Sequence, residues 1–264
     1  MQAKPIIILA AQRTGTTSLN KALDSSGRFT TFYEVFLDSE AHQNHPANYF
    51  YWLKNVCTLV SNHNADAVQL LPEYLRYLAS LAKSEVFFLD IKYSQFRHFA
   101  ERFDVALEQL GVCLQALQIP VIHLYRQNAF ARYLSNLLML KVKKHYYQAG
   151  DKVEYQSGLT VPPEKAAQNL REYALQVSCI NDFFAAYPLF IPQVYEDLFE
   201  GVNITASFLE SLSGVSGQAI PPLQTEYIKT PVDYAQLIAN KDELLGYFEA
   251  SEYRHQVYEI VGHC

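Results

Sequence analysis

An unbroken apolar run, Pro5-Ile-Ile-Ile-Leu-Ala-Ala11, feeds directly into the polar turn Gln12-Arg13-Thr14-Gly15-Thr16-Thr17-Ser18, and a helical pattern, Thr16–Ser26, begins inside that turn. An apolar run without alternation suits a strand buried on both faces. A helix that starts straight after such a strand aims its first free N–H groups outward, where its dipole favours negative charge. Gly15 lets the backbone approach an anion without a Cβ in the way. Thr16, Thr17 and Ser18 add hydroxyl donors, and Arg13 adds a fixed charge with a planar donor fork. Arg, Gly and three consecutive hydroxyl residues exceed what capping one helix requires, so the segment reads as a phosphate-type anion loop. It is not a Walker A loop, G-x-x-x-x-G-K-[ST]: Ala10 stands at the first glycine position and Thr16 at the lysine position.

Four more segments read as buried strands: Phe29–Tyr33, Val86–Tyr93, Pro120–Tyr125 and Leu189–Tyr195. Between them lie helical patterns at Asn48–His63, Asp66–Lys83, Phe96–Leu117, from Asn128 to about Tyr147, and Glu164–Tyr187 behind Pro162–Pro163. Shorter helices are expected at Thr205–Ser213 and Pro231–Glu249, and Ala149–Val161 reads as a polar loop or flap. Strands alternating with helices imply an α/β fold, a doubly wound parallel sheet flanked by helices, as one domain over residues 1–264. Ligands of such sheets bind beyond the carboxyl ends of the strands. Those ends carry Gln12–Ser18, Glu34, Lys92, Arg126 and Glu196–Asp197.

Half the residues are hydrophobic and 14% aromatic, enough for a sizeable core. The net charge of −6 argues against nucleic acid as a main partner, so an anionic ligand needs a local basic site. One exists: Gln109–Gly150 holds no Asp or Glu but contains Arg126, Arg132, Lys141, Lys143 and Lys144. The Lys141–Lys144 cluster is read as a solvated helix face. Cys57, Cys113, Cys179 and Cys264 show neither CxxC nor metal-ligand spacing, consistent with reduced thiols and a cytoplasmic setting. No metal site is implied. The run Ile6–Ala11 is too short for a signal-peptide core, and no stretch reaches the roughly 20 apolar residues of a membrane span.

Arg126 stands at the end of the fourth strand. On the helix that follows, Asn128, Arg132 and Ser135 share one face at i, i+4, i+7, while Phe130, Leu134, Leu137 and Leu138 fall on another. This polar stripe, opening toward the ligand edge, is expected to hold a second anionic group.

The two segments together, Arg13-Thr14-Gly15-Thr16-Thr17-Ser18 and Leu124-Tyr125-Arg126-Gln127-Asn128 through Ser135, resemble the sulfotransferases that use PAPS (3′-phosphoadenosine 5′-phosphosulfate). The second segment is most similar to the bacterial carbohydrate and glycolipid branch, L-x-R-x-N-x-x-x-R-x-x-S. Val194-Tyr195-Glu196-Asp197-Leu198 resembles the family's Y-E-D-L strand end. Lys229-Thr230-Pro231, followed by Ile238-Ala239-Asn240-Lys241-Asp242-Glu243-Leu244, is similar to that branch's tail. The loop departs from cytosolic relatives in carrying Arg13 where they have lysine. The resemblance implies a P-loop-NTPase-like sulfotransferase fold and transfer of a sulfuryl group from PAPS to an acceptor hydroxyl, releasing PAP. The loop residues Arg13, Thr14, Gly15, Thr16, Thr17 and Ser18 would take the 5′-phosphosulfate, and Arg126 with Ser135 the 3′-phosphate. The acceptor would be a carbohydrate or glycolipid.

In-line transfer needs stabilisation of the leaving phosphate, which suits Arg13 and the loop amides, and removal of the acceptor proton. Glu34, just past the second strand, is the candidate base. His98 and His123 are its alternatives, His98 lying on a helix and His123 inside a strand that favours a core role. Lys92 and Gln95 are candidates to contact substrate, and Glu196 and Asp197 to organise basic neighbours. Tyr49, Tyr51, Tyr146, Tyr147 and Tyr155 suit either an acceptor wall or the core. Two other classes of function compete: a P-loop-like kinase using ATP, and a non-catalytic binding protein of sulfotransferase-like fold. The sequence does not disclose the oligomeric state.

Overall fold

The computed structural model describes residues 3–57, 67–102, 106–143, 147–148, 158–228 and 233–262. In chain order its elements are β1 (Lys4–Ala10), α1 (Thr16–Ser25), β2 (Thr30–Phe32), α2 (Tyr49–Asn55), α3 (Ala67–Leu81), β3 (Val86–Lys92), α4 (Tyr93–Arg102) and α5 (Leu107–Ala116). They continue as β4 (Val121–Tyr125), α6 (Ala129–Val142), β5 (Tyr147–Gln148), α7 (Pro163–Phe184), β6 (Phe190–Val194) and a 3-10 turn at Tyr195–Asp197. The remainder comprises β7 (Phe199–Glu200), β8 (Asn203–Ile204), α8 (Ala206–Ser216), β9 (Tyr227–Ile228), α9 (Tyr234–Leu237), α10 (Lys241–Phe248) and α11 (Arg254–Val261).

All five expected strands form, and they pair in parallel in the order β2-β3-β1-β4-β6. The period-two geometry of β1 divides its side chains between two cores. Ile7 and Leu9 join one with residues of α3 to α7, while Ile6, Ile8 and Ala10 join the other with Leu19 and Leu23 of α1 and Phe208 and Leu212 of α8. Both faces of the sheet are therefore covered, which is why β1 reads as a continuous apolar run, while the buried polar residues of β3, Asp90 and Lys92, pair with each other. Register brings the strand tips level: Ala10 lies opposite Lys92 and Leu124, and Tyr125 opposite Val194. From these tips α1 leaves on one face and α4 and α6 on the other, which opens a crevice beside the end of β1.

Several helices differ from their sequence reading. The span Phe96–Leu117 is two helices: α4 begins at Tyr93, directly off β3, and α5 starts afresh where Gln109 Oε1 accepts the Ala106 N–H at 3.0 Å. The helix from Asn128 stops at Val142 because Lys143 turns left-handed (φ 56°), and Tyr147–Gln148 pairs antiparallel with Tyr227–Ile228. The span Pro231–Glu249 breaks at Asn240. Its amide accepts the Val161 N–H and donates to the Val161 carbonyl, both at 2.9 Å, and donates to Glu243 at 2.8 Å. That clamp explains the I-x-N-x-x-E spacing: Asn240 straps the tail to the segment preceding α7. Helix α11 was not anticipated. Its Gln256 accepts the Ala129 N–H at 2.8 Å, and Asn128 donates to Glu259 at 2.9 Å while its own Oδ1 caps Ala131 at 2.8 Å. No helix among the described residues is long and apolar enough to cross a membrane.

Leu134, on the inner face of α6, has no exposed surface. Leu134→Ala is expected to cost about 2–5 kcal/mol, read as a lower urea midpoint at unchanged slope. A loss under about 1 kcal/mol would contradict this packing.

Candidate functional site

The loop after β1 is closed by Thr14, fully buried, whose hydroxyl donates to the Ala11 carbonyl at 2.8 Å. Arg13 and Gly15, on either side of it, both take left-handed backbone, with φ 68° and 85°. At residue 15 only glycine fits: a methyl built there would lie 2.6 Å from Tyr195 Cδ2. Glu34 is a second non-glycine residue at positive φ, 45°. Such backbone costs of order 1–3 kcal/mol and tends to collect at functional sites.

Arg13, Gly15 and Glu34 face one cavity of about 690 Å³, within the usual size range of small-ligand sites, whereas Thr14, expected to bind there, is not among its lining residues. It brings together Arg13, Gly15, Thr16, Thr17 and Ser18 with Glu34, Lys92, Arg126 and Ser135. The two anion sites expected at separate positions are contiguous, since Arg13 Nε donates to Ser135 Oγ at 3.2 Å. Arg126 is set from behind. Its N–H donates to the Tyr173 hydroxyl at 2.7 Å, and that hydroxyl donates to the Arg126 carbonyl at 3.1 Å. The guanidinium lies over the Tyr195 ring, 4.6 Å from its centroid. Glu196 receives the Gln127 N–H at 3.0 Å, and its other oxygen stands 3.8 Å from Arg126 Nε, too far to hydrogen-bond. The organising role expected of Glu196 is thus visible.

The electrostatics favour an anion. Burial holds the Arg13 guanidinium below the ordinary arginine range, with Tyr234 opposing the shift and Arg126 adding to it. Burial likewise raises Tyr234, against the pull of Arg126, a hydrogen bond with Ser135, and Arg13. Two guanidinium groups thus converge on one partly desolvated space, and Glu34 is the one carboxylate among the described residues lining it.

Other expected residues lie elsewhere. The stripe Asn128–Arg132–Ser135 does not act as a unit. Asn128 caps α6, and Arg132 is buried against α7, bonded to Asn169 and 4.2 Å over the Tyr173 ring. Gln95 is buried away from the cavity, its Oε1 accepting the Lys92 N–H at 3.2 Å. Lys92 reaches the cavity wall with its ammonium on Asp90 and Thr16. His98 sits on the surface beside Glu101. His123 is fully buried between the Tyr93 hydroxyl and Asn181, and burial lowers it to about 4, so it is a neutral core residue. Tyr49 belongs to the core with Phe36, Tyr74 and Phe99, and Tyr51 is not among the lining residues. Lys141 is exposed and donates to the Gly158 carbonyl at 2.9 Å. Among the described residues, Cys57, Cys113 and Cys179 form no disulfide. Lys144, Tyr146, Tyr155, Lys229-Thr230-Pro231, Cys264 and most of the expected flap lie outside the described residues.

The sequence reading missed Tyr195, Tyr227, Tyr234 and His42 as lining residues. His42 is exposed and has Nδ1 2.8 Å from Ser39 Oγ. Only Tyr195 carried a local signal, its place at a strand tip. A second cavity, about 500 Å³, opens at the opposite edge among Pro5, Pro120 and Leu189. It lies at the amino ends of the strands, away from the anion loop.

Fold and site together define an α/β protein with a cavity at the tips of a parallel sheet, lined by two arginines and one carboxylate among the described residues. In comparison with known proteins, no family model and no curated protein matches the chain.

Gly15→Ala forces both a left-handed alanine and displacement of the Tyr195 ring. It is expected to lower stability by about 1–3 kcal/mol and weaken anion binding at least roughly tenfold; a variant that binds like wild type would show that the loop tolerates a side chain there. For His123, the unfolded chain takes up a proton near the ordinary value of about 6.5, before the folded chain does near 4. The stability due to neutral His123 is complete above about pH 6.5 and is lost progressively toward pH 4. His123→Gln should flatten the pH dependence of the urea midpoint across that window, and an unaltered slope would locate the titration elsewhere.

Proposed function

We propose that this protein is a sulfotransferase with a P-loop-NTPase-like architecture that transfers a sulfuryl group from PAPS to an acceptor hydroxyl, on a carbohydrate or glycolipid. The observation that carries the reading is the convergence of Arg13 and Arg126, from the tips of adjacent strands, on one cavity that Ser135, bonded to Arg13, also lines. A donor with anionic groups at both ends matches such a pair better than a single phosphate does. The amides and hydroxyls of Gly15–Ser18 receive the 5′-phosphosulfate. Arg126 and Ser135 receive the 3′-phosphate, and Arg13, bonded to Ser135, spans the two. In the transfer, the acceptor oxygen forms a bond to sulfur as the bond from sulfur to the bridging phosphate oxygen breaks. The acceptor proton goes to Glu34, and charge building on the leaving phosphate is met by Arg13 and the loop amides.

Thermal unfolding with PAP, ATP and ADP tests this. PAP at 100 times its Kd stabilises by about 2.7 kcal/mol, whereas ATP and ADP, lacking a 3′-phosphate, stabilise far less. Arg126→Ala should weaken PAP binding by roughly 10- to 100-fold, the worth of a charge-assisted contact. Glu34→Gln should keep PAP affinity and lower PAPS-dependent sulfation of glycans by about 10²- to 10⁴-fold. A larger stabilisation by ATP than by PAP would favour a kinase. Full turnover by Glu34→Gln would move the base to His42.

A further inference from the structure

The ammonium of Lys92 arrives at the cavity wall with its charge already met. Nζ donates to Asp90 Oδ2 at 2.7 Å and to Thr16 Oγ1 at 2.6 Å. Thr16, Asp90 and Lys92 are each at most 4% exposed. Asp90 and Lys92 are two apart on β3 and share the face turned toward α1. Asp90 Oδ2 takes a further bond, at 3.0 Å, from Asn20, which stands one turn beyond Thr16 on α1. An ammonium has donors only, so Thr16 Oγ1 is the acceptor of its bond with Lys92. A hydroxyl that accepts on one lone pair still has its proton to give. Among the described residues no acceptor takes the Thr16 proton, and Thr16 lines the cavity.

We propose that Asp90, Asn20 and Lys92 form a buried relay that presents the Thr16 hydroxyl as a hydrogen-bond donor to the bound anion, with Lys92 a positioning residue and not an anion ligand. The inference rests on the reading of the loop as an anion site and goes beyond it by assigning how one of its donors is oriented. Asp90 and Asn20 fix the ammonium, and the ammonium occupies a lone pair of Thr16. The O–H bond is then left to point into the space that Arg13 and Arg126 make attractive to negative charge. The Asp90–Lys92 pair is neutral as a unit, so the long-range attraction stays with the two arginines.

Calorimetric titration of wild type, Thr16→Val, Lys92→Met and the double variant with PAP, and separately with inorganic pyrophosphate, tests the relay. Each single change is expected to weaken binding by roughly 10- to 100-fold. The double variant should lose no more than about threefold beyond the weaker single variant, because both changes remove one contact. Thr16→Ser, which keeps the hydroxyl, should bind within about threefold of wild type. Lys92→Met strands a buried carboxylate and can fail to fold; the cycle is then run on Asp90→Asn/Lys92→Met, with and without Thr16→Val, checked by thermal unfolding. Additive losses would make Lys92 a direct ligand and overturn the relay, as would full affinity in Thr16→Val. Binding of pyrophosphate without PAP would remove the nucleotide reading and leave the relay to the variant comparison. Binding of neither would remove both.

Discussion

The ring of Tyr195 occupies the space that a β-carbon at residue 15 would need, and the same ring supports the guanidinium of Arg126. Much of the site depends on this contact. It holds the loop after β1 and the tip of β4 at a set separation, with an aromatic spacer between two positively charged walls. The spacer cannot collapse, because Arg126 is also held through its backbone by Tyr173 and approached by Glu196. Nor can the loop retreat, because Thr14 is bonded back to Ala11. A cavity between two like charges would otherwise tend to open or to fill with side chains.

Charge placement at the strand tips follows a division of labour. Asp90 neutralises Lys92 beneath the loop, and Asn169 and Tyr173 absorb Arg132 on the far side of α6. The positive character left facing the cavity comes from Arg13 and Arg126, met in part by Glu196 at 3.8 Å. A chain of net charge −6 thus carries a local positive excess at this cavity, and burial makes it count for more than the same charges would on the surface.

The parts of this architecture that a linear reading recovers are those that local physics dictates. Strands buried on both faces are predominantly apolar, so Ile6–Ala10 and Val121–Tyr125, the latter despite His123, declare themselves, and the tips that deliver Arg13 and Arg126 follow. Helical spacing places Arg132 near Ser135 but carries no information about α7, whose Asn169 takes Arg132 away from the cavity. Tyr234 and Tyr227 reach the site through the Asn240 clamp and the pairing of β5 with β9, both non-local. Helix α11 buries just Val257 and Val261, too narrow an apolar stripe for periodicity to register. Gln95 stays off the cavity because it lies on α4 and folds back to accept the Lys92 N–H at the end of β3, a turn that nearness to a strand end does not specify.

The N-cap of α6 is completed by residues far downstream: Asn128 is bonded to Gln256 and Glu259, 128 and 131 positions later. Contacts at such separation carry a large loop-closure cost and form late. During synthesis the sheet can assemble around β1 and β4 while α6, which bears Ser135, still lacks its contacts with Gln256 and Glu259. The pocket is therefore expected to be among the last features to mature on the ribosome, with premature ligand capture disfavoured until the downstream helix has docked.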